Sequence, residues 1–165
     1  MNLRLKLLDK SEIPLFNRSE EEAFSVHDKY FSDGIEPGAE YDDREEHDLN
    51  TIIDDPMFTV LAIYDGDTFV GGAIVEEKGD FEKNISIFFL IIEYQSKGIG
   101  KTALDMVEAY FPDARVFRLI TPSQVVRNTV FYVNKCGYRI VKVVDFNKET
   151  NTADYIFEKK RSRTA

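Results

Sequence analysis

ISIFFLIIEYQSKGIGKTALDMVEAYF, residues 85–111, decides how the rest of the chain is read. An unbroken apolar run from Ile87 to Ile92 leads through Glu93, Tyr94, Gln95, Ser96 and Lys97 into Gly98-Ile99-Gly100. Beyond it, apolar residues recur at Leu104, Val107 and Tyr110 or Phe111 with helical spacing. The pattern predicts a buried strand, a glycine turn and an amphipathic helix.

Such a turn favours an anion. Glycines let a ligand approach the backbone, and the first amides of a helix have no partner inside it. A phosphate there would gain from the helix dipole and from Lys97 and Lys101. An ordinary strand-to-helix turn with solvated lysines is the alternative. Gly100-Lys101-Thr102 ends like a P-loop, but Gln95 stands where that motif needs its first glycine. Gly98, Gly100 and Ala103 fit the dinucleotide fingerprint, yet residues 116–121, the next strand candidate, end in no acidic residue to hold a ribose.

A third pattern remains. Gln95-Ser96-Lys97-Gly98-Ile99-Gly100-Lys101, preceded by an apolar strand, resembles the Q/R-x-x-G-x-G/A signature of the GCN5-related N-acetyltransferases. Asn128, Phe131-Tyr132 and Cys136-Gly137-Tyr138 resemble that family's N…(L/F)Y…GF element, although Tyr132 lies one residue further from Gly137 than is usual. Four residues apart on a helix, Asn128 and Tyr132 share a face. Cys136, with no histidine to activate it, reads as a small buried residue.

The remaining elements follow the order of the same family. Leu3, Leu5 and Leu7 alternate with Arg4 and Lys6 as in a half-buried strand. Ser11 is a candidate N-cap for a helix over residues 13–30, broken or kinked near Pro14. A short helix over 43–53 precedes strands at 58–64 and 68–77, joined by Asp65-Gly66-Asp67, and Gly71-Gly72 marks a bulge or a close backbone approach. After the central strand, turn and helix come a strand over 115–121, a right-handed crossover from its predecessor, and a helix over 125–135 closed by Gly137. Strands at 138–146 and 154–158 complete a single domain over 1–160, with 161–165 a frayed basic tail. The resemblance implies an α/β domain, a central mixed, mostly antiparallel sheet of about six or seven strands flanked by about four helices.

Composition limits the partners. The 165 residues are 43% apolar and 13% aromatic, enough for one core, and a net charge of −9 disfavours nucleic acid and anionic membranes. One cysteine and two unspaced histidines suggest no metal, and no leader or membrane-length apolar run is evident, which points to the cytoplasm. The acidic stretch containing Glu36, Glu40, Asp42 and Asp43 is a solvated loop or, by the resemblance, a wall that attracts an amine.

By the same resemblance the co-substrate is acetyl-CoA, its pyrophosphate on the turn Gln95, Ser96, Lys97, Gly98, Ile99, Gly100, Lys101 and Thr102, and its arm beside Leu90, Ile91 and Ile92. Asn128 would contact that arm, an amide at Leu90 or Ile91 would polarise the carbonyl, and Tyr132 would be the general acid. A protonated primary amine of a small molecule or peptide, with pKa about 10.4, needs a base, for which Glu76, Glu77 and Glu93 are candidates. Direct attack in a ternary complex is implied, since no nucleophile is evident. A non-catalytic acyl-CoA or nucleotide-binding module of the same fold is the alternative, and the family also allows a homodimer.

Overall fold

The computed structural model describes residues 1–27 and 48–162. Among these residues seven strands form one sheet: β1 (Leu3–Leu7), β2 (Phe58–Asp65), β3 (Thr68–Gly79), β4 (Glu82–Leu90), β5 (Val116–Pro122), β6 (Arg139–Asn147) and β7 (Thr152–Lys160). Their order is β1-β2-β3-β4-β5-β7-β6. Every pairing is antiparallel except β4 with β5. The one parallel pair needs a crossover, supplied by α3 (Ile99–Ala109).

Helices cover both faces of the central strands, which explains the continuous apolar runs. On β2, Val60 and Ala62 face one core cluster with Phe16 of α1 (Ile13–Ser25), while Leu61 faces the other with Leu104 and Val107 of α3. Phe16 is fully buried, and a Cβ on Gly72 would overlap its ring, so the second of the paired glycines is where α1 docks. Gly71 likewise has no room for a Cβ against the backbone of Phe89.

Alternation breaks once in β4, and the break matters. Ile74 pairs with Ile87 but Val75 pairs with Ile85, leaving Ser86 as the extra residue of a bulge. Ile85 therefore joins the α3-side cluster and Ile87 the α1-side cluster, although they are two residues apart. A regular strand would have put both on one face.

Three local expectations are corrected. Pro14 opens α1 at its first turn rather than kinking it, where its missing N–H is of no consequence. Asp9, not Ser11, leads into that helix, through a 3-10 turn in which its amide donates to Glu12 Oε1 at 3.1 Å. Arg161, expected in the frayed tail, donates to the carbonyls of Glu108 (3.0 Å), Ala114 and Phe111, satisfying chain ends after α3. The expected helix over 43–53 is described only as α2 (Leu49–Ile52), with Asp48 as its cap. Glu36, Glu40, Asp42, Asp43, the stretch to Tyr30 and residues 163–165 lie outside the described residues.

Candidate active site

The site begins where β4 and β5 stop pairing. They are bonded only over Glu82, Lys83 and Asn84 against Val116, Phe117 and Arg118. β4 stays joined to β3 as far as Leu90, and β5 to β7 as far as Pro122. Between them, two inner strand edges run onward with no partner among the described residues. Such edges need hydrogen-bond partners, and an extended ligand can supply them.

The glycine turn lies at the end of that gap. The Gln95 side chain donates through Nε2 to Leu90 O at 2.9 Å and ties the turn to the strand. Ser96 (φ 59°) and Gly98 (φ 77°) are both left-handed, and no side chain caps α3, so its first amides face outward. A Cβ on Gly98 would meet nothing, which leaves open space in front of them. Ile99 is buried with Leu90 and Ala103 and anchors the helix behind the turn. Lys97 lies over the Tyr94 ring, Thr102 is exposed, and Lys101 is paired with Asp105 at 2.6 Å.

Not every expected residue keeps a free backbone. The Ile91 amide donates to Val70 O at 2.9 Å and is not available to polarise a carbonyl. Ile92 is exposed, whereas Leu90 is buried at the edge of the gap.

α4 (Val126–Val130) forms the opposite wall. Asn128 Nδ2 reaches Thr121 Oγ1 on β5 at 3.4 Å, so the asparagine faces the gap's far strand. The helix then widens into a π-helical segment, Phe131–Lys135, with the Cys136 amide donating to Phe131 O at 3.1 Å. That turn absorbs one extra residue. Tyr132 consequently points inward, 9% exposed, while Val133 is 37% exposed. Tyr132 packs against Phe131, Tyr138 and Phe157, nothing described accepts a hydrogen bond from its hydroxyl, and burial pushes its pKa up. Burial pushes the Cys136 thiol up to about 11, which keeps it an inert thiol.

The two glutamates on β3 part company. Glu76 pairs in register with Asn84 and faces the α1 side of the sheet with Ile74, where its carboxylate meets Lys78 at 3.1 Å. Glu77 points the other way, toward α3, and holds the nearly buried Lys83 at 2.6 Å. Glu93 is exposed in the turn. On the Glu76 side, Arg118 is held by Glu82 (2.8 Å) and Glu158 (3.0 Å).

One residue escaped sequence reading: Arg127 of α4, whose Nη2 donates to Ser96 Oγ at 3.2 Å across the mouth of the turn. No local pattern joins positions 31 residues apart. Among the described residues, no three metal-binding side chains converge and no helix is long and apolar enough to cross a membrane.

Comparison with known proteins agrees with this architecture. The sequence matches the family model of the Acetyltransferase (GNAT) family over residues 18–138. It is 33% identical over 142 residues to the uncharacterized protein YrkN of Bacillus subtilis (strain 168), covering 84% of this chain and 74% of that one. The fold is similar to that of spermidine N-acetyltransferase from Vibrio cholerae, solved with CoA and spermine (TM-score 0.71, 14% identity, 96% and 95% of the two chains). It is also similar to the PaiA N-acetyltransferase of Thermoplasma acidophilum, solved with coenzyme A (TM-score 0.70, 18% identity, 98% and 100%). With the parted strands, the glycine turn and a family match spanning most of its length, the chain belongs to the acetyltransferase (GNAT) family.

Proposed function

We propose that the protein is an N-acetyltransferase that moves an acetyl group from acetyl-CoA to a primary amine of a small molecule or peptide. The observation that carries this reading is the gap between β4 and β5 ending at the outward-facing amides of Gly98, Ile99 and Gly100. A linear pantetheine arm suits the unpartnered edges, and phosphates suit the amides. Acetyl-CoA supplies an activated thioester; the chain's own groups do the rest.

Gln95, Ser96, Lys97, Gly98, Ile99, Gly100, Lys101 and Thr102 form the phosphate seat, and Leu90, Ile91 and Ile92 flank the arm. Asn128 orients the arm from the facing wall. Tyr132 holds its proton throughout the physiological range, because burial disfavours the phenolate, and donates it to the departing sulfur. Glu76 is the base for the ammonium: it faces the α1 side, next to Asn84, and its partner Lys78 is exposed to solvent, whereas the Glu77 carboxylate neutralises the nearly buried Lys83 on the other side.

Thiol release from acetyl-CoA, followed with a panel of primary amines, tests the reaction. Amine-dependent release supports it. Binding of acetyl-CoA without release for any amine class would move the protein to the non-catalytic binding modules.

A further inference from the structure

We propose that Arg127 is an anchor for a phosphate group of the co-substrate, an inference that rests on the acetyl-CoA reading above. Its guanidinium reaches from α4 to the glycine turn and spends one donor on Ser96 Oγ, at 3.2 Å. A guanidinium has five N–H donors in a planar fork suited to phosphate. No carboxylate among the described residues pairs with Arg127, in a chain with 30 acidic residues against 21 basic ones. Lys101, by contrast, is neutralised by Asp105 within its own helix. An exposed cation with no counter-charge among the described residues, beside left-handed backbone at Ser96 and Gly98, is complementary to an anion that contacts both walls of the gap at once.

CoA carries two sources of that anion, the pyrophosphate and the 3′-phosphate. Calorimetric titration of wild type, R127A, R127Q, R127K and S96A with CoA and with dephospho-CoA separates them. R127A and R127Q should bind CoA about tenfold more weakly, the loss of one charge-assisted contact, with R127K recovering part of it. An equal loss with dephospho-CoA assigns the pyrophosphate; a loss confined to CoA assigns the 3′-phosphate. S96A, which removes the brace and one hydroxyl of the seat but no charge, should lose less affinity than R127A.

Wild-type affinity of R127A and R127Q for both ligands overturns the inference and leaves the acetyl-CoA reading standing. So does an S96A loss equal to that of R127A, which would make Arg127 merely a brace for the turn. A wild-type protein that binds neither ligand overturns both.

Discussion

Gly100 lies directly against the Phe131 ring: a Cβ at that position would come within 3.0 Å of it. The glycine joins α3 to the π-helical segment behind α4, so the two helices that frame the turn are locked edge to edge. Gly98, two residues earlier, touches nothing but has φ 77°. One glycine serves packing and the other backbone conformation.

These glycines should therefore fail differently. Gly98→Ala should cost about 1–2 kcal/mol of stability by forcing an L residue into the left-handed region, with the helix contacts intact. Gly100→Ala should displace Phe131 and with it Tyr132, lowering turnover as well as stability. Denaturant unfolding and thiol-release assays on both variants check this; equal turnover losses would contradict the division.

Tyr132→Phe should lower turnover by about a hundredfold while the affinity for acetyl-CoA stays near that of wild type, if the hydroxyl is the general acid. Because burial raises its pKa, the wild-type rate should show no fall on the alkaline side from ionisation of Tyr132. Unchanged turnover in the phenylalanine variant would return Tyr132 to the core.

Glu76→Gln and Glu77→Gln should separate chemistry from stability. Glu76→Gln is expected to reduce turnover with little change in unfolding. Glu77→Gln leaves Lys83 nearly buried without its partner and should destabilise by about 1–2 kcal/mol, less than the roughly 3–5 kcal/mol of a fully buried pair because Glu77 itself is partly exposed. The reverse pattern would make Glu77 the better candidate.

Asp154 gives the fold a pH dependence. Burial, and then the neighbouring Asp145, lift its carboxyl from 3.8 to about 6. A raised acid is stabilising when protonated: the contribution is present below about pH 4 and is lost as pH rises through about 6. Asp154→Asn should thus match wild type near about pH 4 and exceed it by about 1–3 kcal/mol near about pH 8, measured by urea unfolding. A difference that does not vary with pH would exclude this pair as its source.

Much of the fold was legible because strand alternation, apolar runs and glycine turns are local signals. Leu3 to Leu7, the Gly66 turn and the apolar run as far as Leu90 became the expected elements, while Ile92, expected in the strand, opens a 3-10 turn over Ile92–Tyr94. The bulge at Ser86 was not legible, since only its pairing with β3 defines it. Neither was the π-helical turn that brings Tyr132 inward, although its trace was visible as the extra residue before Gly137. Arg127 lies wholly in tertiary structure, as does the choice between Glu76 and Glu77, which depends on the face each side chain takes. Asp9 displaced Ser11 at the start of α1 because Glu12 could answer its amide.

The most direct measurement is calorimetric titration of the wild-type protein with acetyl-CoA, with ATP and NAD as controls. Saturable binding of acetyl-CoA at one site per chain is expected, with no comparable binding of either control. Binding of a control in preference to acetyl-CoA, or of none of the three, would contradict the assignment of the gap between β4 and β5 and its glycine turn as an acetyl-CoA site.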